Sequence, residues 1–228
     1  MTRGPEGAQA FPVARWVAVV WLAVWVPTYV FQWGWANFVF FCDVAVVLTC
    51  VGLWFGNSLL LSSQAVSAIV INFIWVLDVA WRAIFGRHLL GGTEYMWDAQ
   101  YPFWVRLLSF FHLVWPFVMV WAVRRVGYDR RALKLQSALA VVVMVAAYYA
   151  DPAKNINFSH RDPAFGWSWG PAPMHMAVML AFLIGVIYWP THQLLSRFIP
   201  PPGARVSRSK ASSEGPNPRL FPQKPRDA

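Results

Sequence analysis

Hydrophobic residues run along this chain in long, nearly uncharged segments separated by short connections. Each segment has about 20 residues, the length that a helix needs to cross the hydrocarbon core of a bilayer. The pattern predicts six membrane-spanning helices at residues 13–32, 35–55, 58–84, 103–123, 132–150 and 173–197.

Composition supports a membrane location. Of the 228 residues, 58% are hydrophobic and 13% are charged, against about 25% charged in a soluble domain. The 15 Trp residues fit anchoring at the two membrane interfaces. We therefore predict an all-α, polytopic membrane helix bundle with membrane lipids as partners and no nucleic-acid binding.

The expected organisation has three parts: a short N-terminal cytoplasmic segment at 1–12, a six-helix transmembrane domain at 13–197, and a basic tail at 198–228. The first apolar segment is too long and too aromatic for a signal peptide, so we expect it to be retained as a span. The tail is rich in Pro, Ser and Gly, a composition that predicts disorder.

Basic residues predict the orientation. Six spans place both termini on one side, and that side receives most of the 19 Lys and Arg residues. Cytoplasmic loops carry such an excess, so the N- and C-termini are predicted to be cytoplasmic. We expect a plasma (inner) membrane protein whose outer half contains nearly every unusual polar group. The cytoplasmic half would carry Arg clusters and little else.

The second apolar segment places Cys42 and Asp43 side by side within the membrane. An ionisable residue inside a span is costly, so it indicates function. Cys42, Ala45, Thr49 and Gly52 share one helical face of small side chains, which favours contact with neighbouring helices.

His112 lies at a similar depth in the fourth span, four residues before Pro116. The proline removes the backbone donor to the His112 carbonyl, which predicts a bend there. The imidazole is a candidate general base towards the Cys42 thiol. An equally open interpretation is that His112 only hydrogen-bonds across helices and Cys42 only packs.

Four more residues are candidates for orienting the imidazole or binding substrate: Asp43, Asp78, Asn155 and Asn157. Asp43 is expected to pair with an Arg, His or hydroxyl group on another helix, and Asp78 with Arg82 one turn on. The connection at 86–102 is either a lid or an interfacial connector.

The sequence predicts no cofactor and no metal ion, because its histidines lack metal-ligand spacing and no Walker or Rossmann glycine motif occurs. A metal site built from His112, His175 and a carboxylate is the less favoured alternative.

Three short motifs, Cys42-Asp43-Val-Ala45, Phe110-Phe111-His112 and Lys154-Asn155-Ile-Asn157-Phe158, occur in an order that resembles the YwaF-like family of six-span membrane proteins. That family includes a transmembrane acyltransferase that uses a Cys and a His. Its layout is similar to that of the androgen-induced Thr/His hydrolases. The resemblance implies Cys42 as nucleophile and His112 as base.

The expected function is therefore acyl transfer or hydrolysis on lipid acyl esters in the outer half of the bilayer. The alternative is a non-catalytic membrane protein, either a small transporter or a subunit of a membrane complex.

Overall fold

The computed structural model describes residues 10–163 and 165–204, and every regular element within them is helical. The α-helices, in chain order, are α1 (Ala14–Trp33), α2 (Phe41–Phe55), α3 (Ser58–Phe85), α4 (Phe103–Leu108), α5 (Phe111–Val126), α6 (Ala132–Tyr148), α7 (Ala172–Phe182) and α8 (Trp189–Phe198). A π-helical stretch, Leu183–Tyr188, joins α7 to α8. Short 3₁₀ helices lie at Trp35–Val39, Glu94–Met96, Pro152–Lys154 and Ile156–Phe158.

Four helical rods are long and apolar enough to cross a membrane, two fewer than predicted. They are Ala14–Trp33, Ser58–Phe85, Phe103–Val126 and Ala172–Phe198, with mean hydropathies of 1.5 to 1.9. The other two apolar helices, α2 and α6, have 15 and 17 residues and are shorter than a typical span. The protein is thus a membrane protein whose described part is all helical, and the predicted segment positions agree closely with the helices observed.

Helix α3 is the centre of the bundle. Its 28 residues extend about 42 Å at 1.5 Å per residue, and it packs against α2, α5 and α6. The side chain of Asn57 caps its start by accepting from Leu60 N at 3.0 Å. Residues 61–68 are all buried, so neighbouring helices surround this stretch on every side.

The predicted contact face of α2 is confirmed. Ala45 and Thr49 are both 0% exposed, and Gly52 is buried. A Cβ on Gly52 would lie 2.9 Å from Leu61 of α3, so glycine permits the close approach of the two helices.

Long-range contacts define two ends of the bundle. At the first, which we call the basic end, Arg125 donates to Ala10 O, and Tyr128 N donates to Pro200 O at 2.9 Å. At the opposite end, which we call the loop end, Lys154 Nζ donates to Trp33 O at 3.1 Å. The rods therefore alternate in direction, and residues 10 and 204 lie at the same end.

Residues just outside the predicted transmembrane domain, 13–197, also pack against the bundle. Phe11 is 1% exposed and packs edge-on against Trp121, and Ile199 is 4% exposed. Residues up to Ala204 are described, whereas most of the predicted tail, 205–228, and the first nine residues lie outside the described residues.

Gly127 is required where the chain leaves α5 at the basic end. Its φ is +90°, and a Cβ there would lie 2.6 Å from the Pro202 backbone. We expect Gly127→Ala to destabilise the protein by about 1–3 kcal/mol, measured as a lower Tm in detergent. Gly185→Ala is the control, because nothing lies within 4 Å of that position. Equal Tm values for the two variants would contradict this role.

The prediction that the basic half carries little besides arginine is wrong. Gln64 donates to Ser63 Oγ at 2.9 Å and to Gln136 Oε1 at 3.4 Å, and Tyr188 lies within hydrogen-bond distance of both Ser67 and Gln136. Uncharged amides and hydroxyls do not stand out within apolar segments, so the sequence interpretation overlooked this buried network.

Asp129 at the basic end should make stability depend on pH. The Arg131 guanidinium, bonded to it at 2.7 Å, lowers the pKa of Asp129 below its ordinary value. The ion pair therefore stabilises the fold above the unfolded pKa of about 3.9, and this stabilisation is lost as the pH falls through the lower folded pKa. We expect the Tm difference between wild type and Asp129→Asn to narrow from about pH 6 to about pH 3. A pH-independent difference would contradict it.

Candidate functional site at the loop end

Cys42 and Asp43 lie in the first turn of α2, where the chain enters the bundle from the loop end. The Asp43 carboxylate is 3% exposed and accepts from Asn37 Nδ2 at 2.6 Å. The Cys42 thiol donates to the same carboxylate, with a distance of 3.8 Å from Sγ to Oδ1. The expected pairing of Asp43 with an Arg, His or hydroxyl group on another helix is wrong, because the 3₁₀ turn before α2 supplies a local amide.

His112 lies at the start of α5, directly after the helix is interrupted. The interruption falls at Ser109 and Phe110, slightly ahead of the bend predicted at His112 from Pro116. His112 Nδ1 lies 2.7 Å from Ser109 O, and its ring stacks on Trp75 at 4.3 Å. Because a carbonyl can only accept, Nδ1 carries a proton, and in the neutral form of the ring Nε2 retains its lone pair.

Two tyrosines, which the sequence interpretation missed, complete the cluster. The Tyr29 hydroxyl lies 2.8 Å from Ser109 Oγ, and Trp75 Nε1 donates to the Tyr95 hydroxyl at 3.2 Å. Burial raises the pKa of Tyr95, and the neighbouring Cys42 and Asp43 raise it further. Tyr95 is therefore a neutral phenol that can donate a hydrogen bond close to the thiol and the carboxylate.

We call this group of side chains the loop-end cluster: Tyr29, Asn37, Cys42, Asp43, Trp75, Tyr95, Ser109 and His112. Cys42 and His112 both belong to it, yet no hydrogen bond joins them in the described part of the chain. Together, Ser109 and Tyr95 interact with both groups: the Ser109 carbonyl contacts His112, and Tyr95 neighbours Cys42, Asp43 and Ser109. The assignment of Cys42 as nucleophile and His112 as base stays a prediction.

Asp78 organises the connection between α3 and α4. Its carboxylate accepts from the backbone N–H groups of Leu89, Leu90 and Gly91 at 2.7 to 3.1 Å, and from the Thr93 hydroxyl. His88 Nδ1 lies 2.9 Å from it.

The predicted pairing of Asp78 with Arg82 is therefore wrong. Arg82 lies instead over the Trp97 ring, and the connection folds back so that its own backbone satisfies the carboxylate. The hydrogen bonds to Asp78 hold residues 88–93 against α3 and so position the segment that carries Tyr95. Asp78 thus supports the loop-end cluster from outside it.

The two asparagines shape the connection between α6 and α7. Asn155 has φ +43° and accepts from the backbone N–H groups of His160 and Arg161, whereas Asn157 has φ +53°. The Asn157 side chain accepts from Phe41 N at 3.0 Å and donates to Val39 O at 2.8 Å. Asn155 makes its side-chain hydrogen bonds within its own loop, whereas Asn157 anchors the start of α2, next to Cys42.

Removal of the Asn157 side chain should therefore expose Cys42. We expect Asn157→Ala to increase the rate of Cys42 alkylation by N-ethylmaleimide several-fold, because two hydrogen bonds that fix the start of α2 are lost. The rate is measured in a Cys50→Ala background. Ser168→Ala, which removes one exposed hydroxyl bond to Gly170 O, is the control. Equal alkylation rates would show that Asn157 does not restrain the thiol.

The alternative metal site at His112 and His175 is not formed. His175 uses both ring nitrogens within the loop end: Nδ1 accepts from Trp169 N at 3.2 Å, and Nε2 lies 2.9 Å from Phe158 O. In the described ranges, no group of three or more His, Cys, Asp or Glu residues could hold a metal ion.

The chain matches no protein-family model, no curated protein sequence and no solved structure. The resemblance to the YwaF-like family therefore rests on its three short motifs.

Proposed function

We propose that this membrane protein is an enzyme that transfers or hydrolyses lipid acyl chains at the loop-end cluster. The observation that carries this function is the Cys42 thiol in contact with the buried Asp43 carboxylate, within a cluster that also contains the His112 imidazole. A thiol is a capable nucleophile once a neighbouring group takes its proton.

In the first half-reaction, Cys42 Sγ attacks the carbonyl carbon of a lipid ester while its proton passes to Asp43. The new C–S bond forms, the C–O bond breaks, and Asp43 returns the proton to the leaving alkoxide, which departs as an alcohol. The product on the protein is an acyl thioester.

In the second half-reaction, Nε2 of His112 takes a proton from water or a second alcohol, which attacks the thioester. The C–S bond breaks, and the proton returns to the Cys42 sulfur. In this proposal Tyr95 donates a hydrogen bond to the oxyanion formed in each step, since its hydroxyl accepts from Trp75 Nε1 and keeps its own proton as a donor.

The same proposal includes six membrane crossings. Helix α2 is short by itself, and the 3₁₀ helix Trp35–Val39 directly precedes it, so helical residues extend from 35 to 55 with a break at Phe40. The alternation of the rods and the shared end of residues 10 and 204 support crossings by α2 and α6 as well. Both termini are then cytoplasmic and the membrane is the plasma (inner) membrane, as the basic residues favour.

A second candidate is a non-catalytic membrane protein, a small transporter or a complex subunit. The observation that favours this second candidate is a series of polar side chains along much of α3, from the network at Gln64 to Asp78. Between them, Asn72 is 0% exposed, and both atoms of its amide lack a partner among the described residues. Such a line of polar groups is typical of a path for a polar solute.

Labelling with a chloroacetamide probe that carries a fatty-acyl tail separates the two functions. We expect detergent-solubilised wild type and Cys50→Ala to be labelled, and Cys42→Ala to be unlabelled. Cys50 is 4% exposed on the same helix and is the matched control. Equal labelling of all three proteins, or none in any, would favour the non-catalytic protein.

A further inference from the structure

A groove of about 430 Å³ lies on the surface of the bundle between α3 and α5. Its lining consists of Phe73, Pro116, Phe117, Val120, Trp121 and Arg124. Apart from the guanidinium of Arg124, the lining side chains are apolar. The groove is separate from the loop-end cluster, none of whose side chains lines it.

The groove has the shape of a binding site for one acyl chain. Pro116 and Arg124 are eight residues apart on α5, about 12 Å along the helix axis. Phe73 and Phe117 meet edge to face at 6.0 Å across the groove, and Phe117 is 62% exposed. In a membrane these rings face lipid, and an acyl chain that lies in the groove alongside them covers apolar surface on both helices.

Arg124 gives the groove a polar end of defined charge. It is exposed, and no ion pair or hydrogen bond to it occurs in the part of the chain that the structure describes. The side chain of the adjacent Arg125 donates to Ala10 O. The nearby Asp129 carboxylate forms an ion pair with Arg131 and not with Arg124. Arg124 is thus the arginine at this end that is free to bind an anion beside an apolar groove.

We propose that this groove binds one acyl chain of an anionic phospholipid, with the lipid phosphate on Arg124. Arginine binds phosphate with two parallel hydrogen bonds. The basic end also carries Arg125, Arg130, Arg131 and Lys134, whose field favours a headgroup with net negative charge over a zwitterionic one. This site lies at the end of the bundle opposite to the proposed reaction.

Lipid binding by the full-length protein, measured by native mass spectrometry in detergent with added phosphatidylglycerol or phosphatidylcholine, tests this site. We expect wild type to retain phosphatidylglycerol preferentially and Arg124→Gln to lose that preference about tenfold. Arg130→Gln removes the same charge at the same end but outside the groove, and should retain the preference. Equal retention of the two lipids by wild type, or equal losses in the two variants, would overturn the proposal.

A second variant tests whether the acyl chain occupies the apolar part of the groove. Val120→Phe adds bulk inside the groove without changing charge, and should weaken retention of phosphatidylglycerol while the Tm stays close to that of wild type. Unchanged retention in Val120→Phe would show that the lipid does not occupy the groove. Neither Arg124 nor Val120 belongs to the loop-end cluster, so loss of Cys42 labelling cannot account for these results.

Discussion

Asp78→Ala should destabilise the protein by about 3 kcal/mol or more, the largest stability effect expected from a single substitution here. The substitution leaves three backbone N–H groups without their acceptor at a position that is 1% exposed, and leaves the Thr93 hydroxyl and His88 with only their contact to each other. The loss is measured as a decrease in Tm in detergent, together with faster proteolysis between α3 and α4.

Asp98→Ala is the matched control, since it removes a carboxylate from the same connection whose hydrogen bonds, among the described residues, are to Gln100. We expect a change of less than about 0.5 kcal/mol for this variant. If Asp78→Ala were as stable as Asp98→Ala, the carboxylate would not organise the connection that carries Tyr95.

Asp43→Asn should slow the reaction of Cys42 with the fatty-acyl chloroacetamide by about 10²-fold or more, because the amide cannot take the thiol proton. The side chain keeps its shape and can still bond to Asn37, so α2 should remain in place. The measurement is the second-order rate of Cys42 modification as a function of pH.

Asp98→Asn serves as control for this substitution and should react at the wild-type rate. An unchanged rate in Asp43→Asn would remove the carboxylate from the proposed proton transfer.

The role of His112 is tested separately by His112→Ala. We expect this variant to slow the release of the acyl group from Cys42 more than it slows the formation of the acyl thioester.

The helices were predictable because their signals are local. Long uncharged runs bounded by Gly34, Gly56 and Gly86 predict spans, and those three glycines all adopt positive φ at helix ends. The small-residue face of α2 was also predictable from spacing alone, since a helix places every third or fourth residue on one side. The lengths of two spans were overestimated, because an apolar run does not show where its helix begins, as at Phe41, or ends, as at Tyr148.

The site was less predictable, because its contacts depend on loops. Nothing near Asp78 in the sequence indicates that the backbone at residues 89–91 folds back onto it. Tyr29 and Tyr95 are 66 residues apart and nothing in the sequence distinguishes them from the other aromatic residues, yet both reach the cluster around Ser109. Cys42, Asp43 and His112 were found because ionisable groups inside apolar segments are conspicuous, whereas neutral tyrosines and serines are not.

The most direct test of the proposed reaction is the intact mass of the purified protein after incubation with p-nitrophenyl octanoate. We predict the addition of one octanoyl group on Cys42, absent in Cys42→Ala, present in Cys50→Ala and removed by hydroxylamine as a thioester is. An unmodified protein, or acylation shared equally between the two cysteines, would contradict a nucleophilic role for Cys42 and the enzyme proposed here.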